Sequence, residues 1–484
     1  MENQAEKQTK AQGSAPPKSA YLWLAGIFAV VFAVIYIALL LRVYFLSTDE
    51  TVLLGKAAAN ILFASVLLIM LAALYIYTVV SRRELLYSLK EAGAIMTVFA
   101  IVITANIYLA YVSPYLMFVS LTAMIALPFS KKRDAFVLNV FASLISAFLL
   151  LRGLGANNYQ SIAFTVIVGV LSGAIAIYSF PTAMTRLVSV LRSFVTGVSM
   201  IAIYFVLLGS YSLGMQMFVN NILYIGIAAA AQMLLTGIIE PLIELIFNIT
   251  TDYKLVELTN HNAPLIKRLS IEAPGTFNHS LAVANFAEIC ANAIGEDPIL
   301  ARTCAYYHDV GKLNNPEYFT ENQGGYNPHD EILPEVSAEI IRQHTVDGYE
   351  ICKKYRIPEE IAKITVEHHG TLPISYFYNK AKSLTDSEVD IEEYRYHGEI
   401  PTGKIGAIIM ICDSAEAAIR AMDKPDGEKV DKLLRYMIDE RLKLGQFDNC
   451  DITMQDLNTV RMAIVGAFGG LFHKRIKYNN GKGT

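Results

Sequence analysis

The sequence predicts an all-α protein in two parts: a polytopic helical membrane region, then a helical domain that carries most of the charge. Three observations predict it. The 484 residues are 54% hydrophobic and only 17% charged, too apolar for an ordinary soluble chain. Apolar segments of roughly 20 residues, the length that crosses a bilayer, fill the first half and stop near Asn248. Beyond that point apolar residues return every three to four positions, with no strand-like alternation.

The first part reads in order as follows. Residues 1–20, rich in Lys, Gln, Ala, Ser and Pro, are expected to be a disordered tail. Eight apolar spans follow, at Tyr21–Phe45, Ala57–Val80, Ala94–Tyr111, Tyr115–Pro128, Ala135–Leu151, Tyr159–Phe180, Phe194–Leu213 and Ile222–Phe247. The stretch 21–46 is read as a retained anchor, because it is long for a removable signal peptide and lacks a small-residue cleavage site. A short outer loop at 47–56 and seven further spans within 57–249 complete the region. The fourth span is short and follows the third across only Val112-Ser113-Pro114, as a re-entrant hairpin would. Dropping that pair still leaves an even number of crossings.

Short cytoplasmic loops are enriched in lysine and arginine. Lys7, Lys10 and Lys18 precede the first span, and Arg82-Arg83, Lys131-Lys132-Arg133, then Arg186 and Arg192 fall in alternate loops. The intervening loops carry only Lys56 and Arg152. Both termini, and with them the domain at 251–484, are therefore expected on the cytoplasmic side of a multi-pass membrane protein.

That domain holds all five cysteines, at 290, 304, 352, 412 and 450, without a C-x-x-C pair, which argues against a disulfide framework or a zinc ribbon. It also holds seven histidines and aspartates in the order His279, His308-Asp309, His344, His368-His369, Asp413. Each taken alone reads most simply as a core or capping residue. Together they have a common pattern. His279 extends the stripe Val283, Ala287, Cys290 and Ile294 back by one turn, His344 lies on the stripe Ser337, Ile341, Gly348 and Ile351, and His368 follows Ile361 and Thr365.

Asp413 ends the mostly apolar run Ile405–Cys412, where a carboxylate without a partner is costly. Adjacent residues on a helix diverge by about 100°, so His308-Asp309 must sit at a helix end, with Val310-Gly311 supplying the break as Gly370 does behind His368-His369. Mixed imidazole and carboxylate donors suit two divalent cations, manganese or iron, better than a tetrahedral structural zinc. The chemistry such a pair supports is hydrolysis of a phosphoester, with Asp309 shared between the ions and Lys312 on a phosphate oxygen.

From Thr251 to Tyr478 the chain resembles the cytoplasmic domain of the seven-transmembrane-receptor HD family. The strings that carry the resemblance are EAPGTFNHS at 272–280, AYYHDVGK at 305–312, YFTENQ at 318–323, EHHGT at 367–371, FYNKA at 377–381, RYHGEIP at 395–401 and CDSAEAAIR at 412–420. The resemblance implies a bacterial cell-membrane phosphodiesterase that opens cyclic di-AMP to linear pApA at a two-metal centre. It also implies a division of ligands: one ion on His279, His308, Asp309 and Asp413, the other on Asp309, His344, His368 and His369. Members of that family carry a large outer domain after the first span, where this sequence has only the loop at 47–56.

Contacts to the nucleotide are expected from Lys312, Tyr378, Lys380, Arg395 and Tyr396, with Tyr307, Asn322 and Gln323 as lesser candidates. Glu367 and Glu416 are candidates to orient imidazoles from behind. His261, His329, His397 and His473 match no ligand position. Besides cyclic di-AMP the expected partner is the lipid bilayer; no nucleic-acid polymer is expected, and a homodimer is left open. Two rival readings stand beside the phosphodiesterase: a nucleotide receptor without turnover, and an HD hydrolase for cyclic di-GMP, a dNTP or an alarmone. His369 is followed by Gly370-Thr371-Leu372-Pro373 rather than by the Gly-Tyr-Pro of the cyclic di-GMP enzymes.

Overall fold

The computed structural model describes residues 16–46, 53–86, 88–154, 159–179, 185–208 and 215–471. Most of the expected tail, most of the loop at 47–56, and His473 lie outside them; Lys18 to Ala20 already belong to the first helix. Among the described residues the regular elements are helices, joined by one isolated bridge between Pro373 and Arg395. The chain divides into two compact units, Lys7–Lys254 and a second beginning at Leu255.

In the first unit the helices are α1 (Lys18–Leu46), α2 (Leu53–Ser81), α3 (Leu89–Val112), the short α4 (Leu121–Ala126), α5 (Lys132–Leu154), α6 (Tyr159–Tyr178), α7 (Arg186–Leu208) and α8 (Met215–Phe247). All but α4 are long and apolar enough to cross a membrane. Large apolar side chains such as Leu22, Trp23, Ile61, Ile69, Leu234 and Leu245 face outward. Small and amide side chains face inward, as helix packing in lipid favours. Between α5 and α6 a Cβ on Gly169 would meet Ser143 Oγ at 2.4 Å and one on Gly173 would meet Asn139 Nδ2 at 2.1 Å, and Asn139 donates to the Gly169 carbonyl at 2.8 Å.

The fourth expected span is not one continuous helix, but it returns the chain to the end at which α3 begins. Arg82, just ahead of α3, is ion-paired with Asp134 in the first turn of α5, and the Tyr77 hydroxyl donates to the same carboxylate at 2.5 Å. Further along both helices, Asn106 of α3 donates to Ser146 of α5 at 3.0 Å. The two helices therefore run parallel. With 24 residues, α3 is roughly 36 Å long at 1.5 Å per residue, and the stretch after it must return across that depth.

The return consists of a 3₁₀ turn at Pro114–Leu116, α4, and a second 3₁₀ turn at Leu127–Phe129. Pro114 and Pro128 lack the N–H a continuous helix needs. Side chains take the freed amides: Phe118 N–H donates to Asn106 Oδ1 at 2.7 Å, Ser120 N–H to Gln232 Oε1 at 3.2 Å, and Ala123 N–H to Asn139 Oδ1 at 3.2 Å. An amide left unpaired in lipid costs several kcal/mol, so these three side chains are what let irregular backbone lie at depth.

The antiparallel neighbours follow from similar contacts. Asn139 and Ser143 of α5 meet Gly173 and Gly169 of α6 in reverse order. At α7 and α8, Tyr204 accepts from Asn221 at 2.8 Å while Ser189 donates to Glu240 at 3.0 Å. Arg82, Lys131 to Arg133 and Arg186 thus belong to the end at which α3, α5 and α7 begin.

In the second unit the helices are α9 (Asp252–Leu258, which straddles the division), α10 (Pro264–Glu272), α11 (Pro274–Ile294), α12 (Pro298–Tyr307), α13 (Pro334–Lys354), α14 (Glu359–Ala362), α15 (Ile364–Glu367), α16 (Ser375–Leu384), α17 (Lys404–Ala421), α18 (Gly427–Lys443) and α19 (Met454–Leu471). Prolines open α10 to α13 at the first turn, where the missing N–H has no helical partner to lose. Asp297 caps α12 by accepting from the amides of Ile299 and Leu300 at 2.9 and 3.1 Å. Gly295, at φ 80°, closes α11 in the left-handed conformation.

The core gathers around α11 and α17. Val283, Ala287 and Cys290 pack with Ile408, Ile411, Cys412, Val460 and Ile464, all fully buried. Each aliphatic side chain of that size stabilises by about 1.5–3 kcal/mol on burial. The five cysteines are free thiols.

Candidate metal centre

The core places polar side chains at helix ends that face one another. His279 lies in the second turn of α11, His308 closes α12, and Asp309 opens a 3₁₀ helix at Val310–Asn314. That change of helix type lets two adjacent residues point the same way. It depends on Gly311, where a Cβ would stand 1.8 Å from the His344 carbonyl oxygen and 2.5 Å from Gly348 N. The Asp309 segment thus packs directly on the His344 turn, and a Cβ on Gly348 of α13 would meet Thr365 of α15 at 3.0 Å on another side. His368 closes α15, and Gly370, at φ 52°, turns the chain behind His369.

All seven expected residues converge, in two groups. The ligand atoms of His279, His308, Asp309 and Asp413 lie within 4.8 Å of one another, as do those of His344, His368 and His369. Asp309 stands between them. Its Oδ2 is 3.7 Å from His279 Nε2 and 3.3 Å from His308 Nε2, and its Oδ1 is 3.4 Å from His344 Nε2 and 3.7 Å from His368 Nε2. Asp413 has Oδ1 at 2.9 Å from His279 Nε2 and Oδ2 at 3.7 Å from His369 Nδ1.

The imidazoles are oriented from behind. His308, His344 and His368 place Nδ1 at 2.7, 2.5 and 3.1 Å from the carbonyls of Ala305, Ile341 and Ile364. A proton on each Nδ1 leaves Nε2 as the lone-pair donor toward the centre. His279 Nδ1 instead faces Glu416 Oε2 at 2.6 Å. The Tyr396 ring stacks on His369 with centroids 4.2 Å apart.

Charge is unequal across the centre. Burial opposes a proton on His279 and His308, but Asp413, Glu416 and Asp309 outweigh it, so the two are pushed up to about 9 and about 10. Burial holds His344 down at about 3 and keeps His369 well below the usual range, aided by neighbouring imidazole charge. Burial would raise Asp309 and Asp413 as well. The facing cations, His308 and Lys312 for Asp309 and His279 and His308 for Asp413, instead hold both carboxylates well below their ordinary values.

The donor set fits divalent cations. His308 Nε2 and Asp309 Oδ1 are buried with no hydrogen-bond partner, a costly state for polar atoms that a cation held between a neutral imidazole and the carboxylate would relieve. Imidazole with carboxylate is also the donor mixture of first-row transition metals.

The groups open onto a cleft of about 570 Å³, walled by Lys312, Phe319 and Glu321 on one side and by α17 on another. Lys312 Nζ lies 2.7 Å from Asp309 Oδ2 and 2.9 Å from Glu321 Oε1. Burial disfavours its charge, but those two carboxylates keep its pKa raised.

Of the other nucleotide candidates only Tyr396 lines this cleft. Tyr378 packs beside Ile374, Phe377 and Tyr394. Lys380 donates to the His329 carbonyl at 3.0 Å, and Arg395 is held by Glu392 at 2.7 Å and the Thr371 carbonyl at 3.1 Å. Their charges and rings are used to fasten loops. Tyr307 donates to the Leu258 carbonyl at 2.9 Å in the core. Asn322 accepts from the amides of Gly275 and Thr276 at 2.9 and 3.1 Å, and Gln323 donates to the Glu317 carbonyl at 3.2 Å.

Of the two candidate second-layer carboxylates, Glu416 backs an imidazole, whereas Glu367 accepts from Thr402 at 2.6 Å and pairs with Lys363 at 3.0 Å. Glu321 and Arg420 line the cleft without having been singled out by their sequence. For Arg420 a signal existed in its helical spacing from Asp413 and Glu416.

Residues 276–418 match the family model described as HD domain. Fold and site thus define an HD-domain protein. The chain is 35% identical over 431 residues to cyclic-di-AMP phosphodiesterase PgpH of Listeria monocytogenes, covering 87% of this chain and 59% of that protein. It is 39% identical over 288 residues to PgpH of Bacillus subtilis, covering 59% and 40%. A crystal structure of the Listeria PgpH HD domain in complex with cyclic-di-AMP aligns over 44% of this chain and all of that one, at 45% identity and a TM-score of 0.43. Residues 276–418 therefore carry an HD domain, and the chain is similar to these PgpH proteins while spanning 59% and 40% of their lengths.

Proposed function

We propose that the protein is a membrane-anchored, metal-dependent phosphodiesterase that opens cyclic di-AMP to pApA, with two divalent ions, manganese or iron, as cofactors. The observation that carries the reading is the position of Asp309, one oxygen toward His279 and His308 and the other toward His344 and His368. Two such ions would polarise the scissile phosphate and generate the attacking nucleophile at neutral pH. His279, His308, Asp309 and Asp413 would hold one ion, and His344, His368 and His369, with Asp309 shared, the other.

The protein groups have separate tasks. Lys312 brings a buried positive charge to the mouth of the centre, where it meets a phosphate oxygen. Glu321 holds that ammonium from the far side. Tyr396 stacks on the His369 ring, holding it in place, and lines the cleft. The substrate assignment rests on the named activity of the relatives, and the basic residues gathered at one end of the membrane unit support a cytoplasmic position for the catalytic unit.

The test is pApA release from cyclic di-AMP by the purified full chain in detergent, after chelation and after return of Mn²⁺. Turnover lost on chelation and restored by Mn²⁺ is expected. Tight binding of cyclic di-AMP without product, at full metal occupancy, would make the protein a nucleotide receptor instead. Product from cyclic di-GMP, a dNTP or an alarmone alone would reassign the substrate.

A further inference from the structure

The cleft continues past the metal ligands along a single face of α17. Asp413, Glu416, Ala417, Arg420 and Ala421 recur at spacings of three and four, so they stack on one side of the helix. The two alanines leave room beside the helix. Arg420 is about half exposed, and its guanidinium folds back one turn onto Glu416, whose other oxygen lies 2.6 Å from His279 Nδ1. Arg420 and Lys312 are the two basic side chains lining this cavity apart from its histidines.

A cyclic dinucleotide carries two phosphates on opposite sides of its ring, and only one can be cleaved at a time. Lys312 and the metal ligands account for the scissile one. We propose that Arg420 receives the second, non-scissile phosphate, and so selects cyclic dinucleotides over diesters with a single phosphate. This rests on the phosphodiesterase reading. Geometry supports it in two ways. A guanidinium presents a planar fork that matches phosphate oxygens. Glu416, three residues beyond Asp413, sets the guanidinium roughly 4.5 Å further along the helix axis than the metal-ligand turn. A phosphate arriving there would take over donors that now face Glu416, which would remain on His279.

The experiment compares wild type, Arg420→Ala and Arg420→Lys in the full chain loaded with Mn²⁺, using cyclic di-AMP and bis(p-nitrophenyl) phosphate, a diester with one phosphate. For Arg420→Ala, KM for cyclic di-AMP is expected to rise by at least about tenfold, as for loss of a charge-assisted contact, with kcat changed much less. The loss in kcat/KM on the single-phosphate diester is expected to be several times smaller, and Arg420→Lys should recover part of the difference. Equal losses on both substrates with lowered manganese content would mean that Arg420 acts through Glu416 and His279, and would overturn the proposal. No change on either substrate would overturn it too. Failure of the wild-type chain to open cyclic di-AMP would count against the phosphodiesterase reading itself, whatever the variants do.

Discussion

Glu416 Oε2 lies 2.6 Å from His279 Nδ1, on the opposite side of the ring from Asp413. His279 is therefore gripped between two carboxylates, one facing the metal centre and one behind it. The other buried imidazoles with a second partner, His308, His344 and His368, lean on backbone carbonyls, which no substitution can remove.

Glu416→Gln keeps the shape and removes the charge behind His279. Metal retention is expected to weaken by roughly 10- to 100-fold, the usual effect of losing such a partner. Equilibrium dialysis against Mn²⁺ measures it, and an unchanged circular dichroism spectrum separates it from unfolding. Undiminished affinity would leave Glu416 as a partner of Arg420 only.

Asp309→Asn removes one of the two charges that face both ligand groups. Turnover is expected to fall at least roughly 100-fold, and metal content by a similar factor. Elemental analysis of the purified chain beside the product assay checks both. Near-normal activity would mean that the residue is not shared between two ions.

Lys312→Ala is expected to keep its metal and lose rate, by roughly 10²–10³-fold if the ammonium meets charge that develops on the phosphate. Glu321→Gln, which only loosens the ammonium, should lose less. The ordering of the two rates at equal metal occupancy is the readout. A rate unaffected by Lys312→Ala would make it a structural partner of Asp309 and Glu321.

Gly311→Ala introduces a methyl group 1.8 Å from the His344 carbonyl oxygen, where backbone rather than a flexible side chain must give way. A cost of at least about 1–3 kcal/mol is expected, with separation of Asp309 from His344 and loss of metal. Thermal unfolding and metal analysis test it together. Wild-type stability would show that the two segments can part at little cost.

The seven ligands could be read from the chain because metal binding restricts residue type. An aspartate that ends an apolar run, or an adjacent His-Asp pair before a glycine, has few other uses, and helix spacing links them across 134 positions, from His279 to Asp413. Tyr378, Lys380 and Arg395 carry no such restriction. In sequence they look like nucleotide contacts, but in the structure Tyr378 packs beside Tyr394, Lys380 ties the His329 loop to α16, and Arg395 holds the Thr371 carbonyl and Glu392. The α17 face repeats at three and four from Asp413 to Arg420, so the sequence does contain that wall of the cleft, but its alanines have no chemistry of their own to draw notice. Hydropathy likewise finds the apolar content at 115–128 and two prolines, without revealing which distant amides would make a broken crossing tolerable.

That crossing also constrains how the membrane unit is made. Ser120 lies in the irregular stretch, and its N–H and hydroxyl face Gln232, 112 residues later in α8. Asn106 has already emerged when the stretch is synthesised and Asn139 follows soon after, but Gln232 arrives only with the last helix. Until then the Ser120 amide has to be kept among water or other polar groups, so the bundle closes around this stretch only once translation of the unit is nearly complete. A chain stopped before α8 is expected to be handled as an unassembled membrane protein, even though most of its crossings are present.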